Sequence, residues 1–164
     1  MLSKTLLDEM NLQIMHELYS AYLYLSMSAH FEASNLPGFA HWMRLQSNEE
    51  VEHAMKFFGF INDRGERVVL LAIEKPPAEF KSATTIFEMG LEHEKKVTGR
   101  INHIYNLAAQ EKDFASQEFL NWFVNEQVEE EKNASQIVAA LQMAGENGPS
   151  LLMLDGKLGE REAE

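Results

Sequence analysis

Four long stretches of this chain, about 4–33, 38–63, 83–111 and 115–144, repeat apolar residues at spacings of three and four. That period lays one stripe along a helix and does not fit the two-residue alternation of a strand. The four prolines, Pro37, Pro76, Pro77 and Pro149, all stand between or beyond these stretches, where a missing N–H does no harm to a helix. Each stripe changes character halfway. Leu7, Met10 and Ile14 lead to Glu17, then Ala21 and Tyr24. Phe39 and Met43 lead to Gln46, Glu50 and His53, then Phe57. Phe87 and Leu91 lead to Glu94 and Thr98, then Ile101, while Leu120 and Phe123 lead to Gln127 and Glu130, then Ile137 and Leu141. All four are apolar at the ends and polar in the middle.

The connections set the topology. Ser34-Asn35-Leu36-Pro37-Gly38 is a tight turn, so the first two helices are antiparallel neighbours. The third and fourth turn near Glu111-Lys112-Asp113 and are antiparallel too. Nineteen residues, 64–82, separate the second helix from the third. Fully extended they reach ~60 Å, and a helix of this length spans ~40 Å, so the segment can cross the whole bundle. The expected fold is all-α: a four-helix bundle of two antiparallel hairpins joined by a long crossover. Val68-Val69-Leu70-Leu71-Ala72-Ile73 is expected to pack that crossover onto the bundle. Gly145, Asn147, Gly148 and Pro149 stop the fourth helix. We therefore divide the chain into a bundle, 1–145, and a short apolar-then-polar C-terminal piece, 146–164. That piece either docks on its own bundle or packs against other copies.

A shift of 77 residues superposes His16-Glu17 on His93-Glu94, and Asn48-Glu49-Glu50-Val51-Glu52-His53 on Asn125-Glu126-Gln127-Val128-Glu129-Glu130. Glu17 and Glu50 are 33 residues apart, as are Glu94 and Gln127. Each hairpin thus brings one Glu on its first helix and an i, i+3 pair on its second. Glu17, Glu50, His53, Glu94, Gln127 and Glu130 meet at one level of the bundle. Four carboxylates converging in an apolar core repel one another and lose their hydration, at several kcal/mol per ion. Two divalent cations would compensate. Carboxylates with one imidazole and no thiolate suit iron or manganese, with zinc as a surrogate. Glu17, Glu50 and His53 are assigned to one metal; Glu94 and Glu130, with Glu50 as a bridge, are assigned to the other. Gln127 is a neutral, weak ligand, so the second metal is expected to be held more loosely.

Other residues near this level carry two readings each. Tyr24 is either a core tyrosine with a hydrogen bond or a phenol near the metals able to pass an electron. Glu49, Glu126 and Glu129 are offset ~100° from the six. They form either a solvated acidic face or, with Glu130, a third cation site. Gln46, Ser28 and Thr98 are expected to satisfy backbone groups or one another, Trp122 to pack, and His16, His30, His41, His93 and His103 to be surface or supporting groups.

Composition narrows the function classes. There is no cysteine, which excludes disulfides, thiolate metal sites and thiol catalysis. Twenty-six acids against fourteen bases give −12, a poor match for nucleic acid or an anionic membrane; the charge either suits cations or serves solubility alone. No run approaches the ~20 apolar residues of a membrane span and no leader pattern precedes the first helix, so a cytoplasmic location is expected.

The set Glu17, Glu50-x-x-His53, Glu94 and Gln127-x-x-Glu130, with the long crossover and short tail, resembles the bacterial non-haem ferritins over essentially the whole chain. The resemblance implies oxidation of Fe(II) by O2 or peroxide at a di-iron centre, and storage as a ferric oxide mineral. It implies a shell of 24 subunits with a C-terminal fifth helix near the four-fold axes. It further implies a third iron at Glu49, Glu126, Glu129 and Glu130, and an electron-donor role for Tyr24. Bacterioferritins bind haem through a Met directly after the second-helix Glu. Val51 stands there in this chain, so no haem is expected. The residues alone leave open a metal buffer without turnover and a dinuclear oxygenase acting on an organic substrate.

Overall fold

In the computed structural model, which describes residues 1–163, five helices follow one another: α1 (Lys4–Ala33), α2 (Pro37–Asp63), α3 (Ala83–Gln110), α4 (Phe114–Ala144) and α5 (Gly148–Leu158). Glu164, the end of the expected polar tail, lies outside the described residues. Side chains placed just before the helices start them. Ser3 Oγ accepts from the Leu6 amide, Ser82 Oγ from Thr85, Asp113 Oδ1 from Ser116 and Asn147 Oδ1 from Ser150. Each satisfies one N–H that the helix cannot, worth about 1 kcal/mol. The turns after α1 and α3 each need one residue in the left-handed region, Asn35 and Lys112, both at φ 57°.

Helix α2 begins differently. Leu36 cannot cap it, Pro37 pre-sets its first turn, and the Phe39 amide donates to Asp155 Oδ1 at 2.9 Å. The cap therefore comes from α5, more than a hundred residues later. Gly38 makes that approach possible, since a Cβ there would stand 1.8 Å from the Asp155 carbonyl oxygen. Leu154 is buried with Phe39, Trp42 and Leu141, and Leu151 and Leu158 pack against the same cluster. So α5 docks on its own bundle through one face, while Leu152 and Met153 point outward.

Hairpins α1/α2 and α3/α4 pack on one another to form the bundle, as the two short turns and the long crossover require. The apolar core is split. One cluster gathers Tyr24, Met27, Phe31, Phe39, Met43 and Phe87, and the other Met10, Ile14, Phe57, Ile61, Ile101 and Phe123. The polar centres of the four stripes lie between them.

The crossover corrects one expectation. It runs beside α1 and is pinned by polar bonds, from the Val69 amide to Asn11 Oδ1 at 2.9 Å and from Ser26 Oγ to the Pro77 carbonyl. Of the apolar run, Val68 packs against the core, whereas Val69, Leu70, Leu71, Ala72 and Ile73 face outward. Its first residue, Arg64, grips Asp113 with both guanidinium nitrogens at 3.0 and 2.9 Å, tying the end of α2 to the start of α4. Among the described residues no helix is long and apolar enough to cross a membrane.

Candidate metal centre

All six residues of the polar level are buried, Glu17, Glu50 and Glu94 to within 1% of full burial. They arrive from four helices because each sits on the core stripe of its own helix. Glu17, Glu50 and His53 offer one ligand atom each within 4.8 Å of one another. His53 Nδ1 lies 3.4 Å from Glu50 Oε2, and Glu17 Oε1 accepts from Gln13 Nε2 at 2.8 Å. Glu17 Oε2 is buried and accepts no hydrogen bond. A buried carboxylate oxygen without a donor is costly unless something positive meets it.

The second half is arranged otherwise than the sequence assigns it. The second tight group is His53, Glu126 and Glu130, with His53 Nε2 3.6 Å from Glu126 Oε1. Glu94 belongs to neither group. Its Oε1 accepts from the Tyr24 hydroxyl and its Oε2 from Gln127 Nε2 at 3.2 Å. Glu130 Oε2 accepts from Gln46 Nε2 at 2.8 Å. Repulsion accounts for this: Glu94 and Glu130 turn their oxygens toward neutral donors, Tyr24, Gln127 and Gln46. Tyr24 is thus a buried core tyrosine whose hydroxyl donates a hydrogen bond to Glu94, one of the six residues.

Of the three flanking acids, Glu126 alone joins a tight group. Glu129 is exposed on α4, and Glu49 is ion-paired to Arg161. Gln46 corrects another expectation. Ser28 and Thr98 do bond backbone carbonyls, of Ala40 and Glu94, but Gln46 donates to Glu130 and, at 3.3 Å, to Glu50. Trp122 is less core packing than a wall for His53, edge-on at 5.4 Å. His93 is buried, 2.7 Å from Ser20 Oγ and edge-on to Tyr24. Gln13 and Arg161 escape the sequence reading altogether. Gln13, four residues before Glu17, carries the signal that could have found it, because i, i+4 polar pairs touch on a helix.

The electrostatics describe a site that wants positive charge. Burial raises Glu17, Glu50, Glu94 and Glu130; for Glu94 the result is about 7. The Glu94 charge adds to burial at Glu130 and carries it to about 8. Burial draws the His53 imidazole down, but the hydrogen bonds it donates to Glu126 and Glu50 and the field of Glu50 and Glu17 outweigh it and hold it near 11. Burial, then Glu94, pushes the Tyr24 phenol well above its ordinary range. Burial and the nearby Arg100 lower His93 to about 4, so it stays neutral. Protons on His53 and the carboxyls therefore balance the cluster. A divalent cation can replace them.

The ferritin-like domain family matches residues 7–144, most of the chain. A bacterial non-heme ferritin of Staphylococcus saprophyticus is 40% identical over 98% of this chain and 96% of its own. A probable bacterial non-heme ferritin-like protein of Haemophilus influenzae is 39% identical over 97% and 96%. The open-pore ferritin of the hyperthermophilic archaeon Archaeoglobus fulgidus superposes with a TM-score of 0.97 at 49% identity, over 99% of this chain and 100% of that one. Family match, sequence similarity and superposition all run through the helices that carry the six buried residues, and the chain belongs to the ferritin-like family.

Proposed function

We propose that this protein stores iron and oxidises it on the way in. Fe(II) is the substrate: two ions enter at Glu17, Glu50, His53, Glu94, Gln127 and Glu130, and each gives up one electron. With O2 as acceptor, two electrons and two protons yield hydrogen peroxide; peroxide itself can take the place of O2. The observation that carries this reading is Glu17 Oε2, a buried carboxylate oxygen with no donor, within a group of ligand atoms from Glu50 and His53.

The residues divide the work. Carboxylates favour Fe(III) over Fe(II) by charge, which supplies driving force for oxidation. Cation entry displaces protons from Glu94, Glu130 and His53, so the site holds protons next to the place where the acceptor needs them. Gln13 and Gln46 orient Glu17 and Glu130 by single hydrogen bonds. Tyr24, bonded to Glu94, is placed to supply a further electron. A third iron is assigned to Glu49, Glu126, Glu129 and Glu130. The oxidised iron is stored as mineral inside a 24-subunit shell. Supporting assembly, Val69, Leu70, Leu71 and Ile73 of the crossover and Leu152 and Met153 of α5 offer outward apolar surface to other copies.

Two measurements test this. O2 uptake on adding Fe(II) should be fast for the parent protein and near the protein-free rate for Glu50→Ala and His53→Ala. Equal rates in all three, with saturable Fe(II) binding intact, would make the protein a metal buffer. Sizing should give a particle of about 450 kDa for 24 chains of 18.7 kDa; a monomer or dimer would refute the shell.

A further inference from the structure

Arg161 lies three residues beyond the end of α5 and folds back onto α2. Its guanidinium sits 4.5 Å from the Trp42 ring centroid. One nitrogen donates to Gln46 Oε1 at 2.9 Å, the other to Glu49 Oε2 at 2.6 Å. The ring of His41 meets the Arg161 carbonyl at 2.9 Å. The side chain is 18% exposed and its Glu49 partner 16%, so this is a partly buried, charge-assisted pair. Gln46 stands between it and the centre. With its oxygen taken by Arg161, the amide can present only N–H groups to Glu130 and Glu50.

We propose that Arg161 is a positioning residue for the cation centre: its guanidinium acts as a built-in cation on the Glu49 side and locks Gln46 with its N–H groups toward Glu50 and Glu130. The proposal rests on the cation centre argued above. A divalent ion at Glu49 and the guanidinium are like charges on one carboxylate, so each weakens the other's hold. Linkage then makes the effect mutual. Docking of the tail weakens the cation at Glu49, and that cation loosens the tail. The tail would thereby separate two populations of bound metal, ions held at the pair and a weaker ion that binds against it.

The test uses the assembled, metal-stripped full chain and Zn(II), which binds such ligands without redox chemistry. Calorimetric titration of the parent should resolve ions abolished by His53→Ala and a weaker one. Arg161→Gln, which keeps a planar N–H donor but not the charge, should tighten the weakest ion by about tenfold or more, the scale of one charge-assisted hydrogen bond. Arg161→Lys should stay near the parent, and adding Glu49→Gln to Arg161→Gln should remove the gain. An unchanged weakest ion in Arg161→Gln, or a gain that survives Glu49→Gln, overturns the proposal. Should Arg161→Gln fail to assemble, hydrogen exchange on the parent decides. Zn(II) beyond the His53-dependent ions should speed exchange of residues 155–161 severalfold, and unchanged or slower exchange overturns the proposal. Absence of any His53-dependent Zn(II) would instead refute the cation centre itself.

Discussion

Replacing Glu130 by Gln should make the metal-free protein more stable and the metal-loaded protein less so. Burial and the Glu94 charge hold the Glu130 carboxyl at about 8, against an ordinary 4.5. In the unfolded chain it ionises near 4.5; in the fold it stays protonated to about 8. Its contribution is complete below 4.5 and is lost progressively as the pH rises to about 8. At about 1.4 kcal/mol per unit, the loss is about 3 kcal/mol at pH 7, an upper bound because neighbouring carboxyls share the protons. Gln mimics the protonated form, accepts the same bond from Gln46 and escapes the loss. With Zn(II) at about a thousand times its dissociation constant, a ligand set that binds gains about 4.1 kcal/mol, and the order reverses at pH 7. Thermal melting of both proteins, stripped or Zn(II)-loaded, at pH 5, 7 and 8 checks this. Apo curves that stay parallel from pH 5 to 8, or a parent more stable than Glu130→Gln at pH 8 without metal, would refute the claim that this carboxylate is held against its own electrostatics.

Three more perturbations probe the frame. Arg64→Met removes a two-pronged grip on Asp113, worth about 1 kcal/mol near solvent. The Arg64 bonds hold the Asp113 carboxyl below its usual range, so the stabilisation is complete above that range and lost as pH falls through the lowered value. Melting temperatures of parent and variant should differ at pH 7 and converge as the pH falls through that lowered value. Lys112→Gly relieves a left-handed backbone at φ 57° and should stabilise by about 1 kcal/mol, raising the melting temperature by about 2–4 °C. Gly38→Ala places a methyl 1.8 Å from the Asp155 oxygen; α5 should undock, and limited proteolysis should cut the tail faster than in the parent.

The helices were legible to within one residue at nearly every end because their signals are local: a stripe of period 3.6, Ser, Asp or Asn at the start, and a left-handed residue at the turn. The crossover shows where locality ends. Six consecutive apolar residues declare that surface must be covered, but not by what, and Val68 alone found its cover within the chain. The Asn11 and Ser26 bonds that fix its path join residues some fifty positions apart, a pairing that no periodicity records.

The same division runs through the candidate site. Glu17, Glu50 and His53 converge as the stripes require, since residues on core stripes of packed helices have nowhere else to go. Glu126 reaches His53 although its position turns it about 100° from the stripe; a side chain with three rotatable bonds covers that offset when the facing helix is close. Gln46 was visible only as a polar residue one turn before Glu50, and its partner Arg161 not at all, because its contacts depend on how the tail folds back after α5. Arg161 is nevertheless unusual in the sequence, a lone base among Glu160, Glu162 and Glu164. A chain of net charge −12 has few cations to place. Placing one against Glu49 and Gln46 follows the logic of the proposed cation site: charge gathered against its own repulsion is held by whatever positive group is nearest, whether proton, guanidinium or metal. The metal-free fold uses the first two, and on the proposed reading a metal binds by exchanging with them.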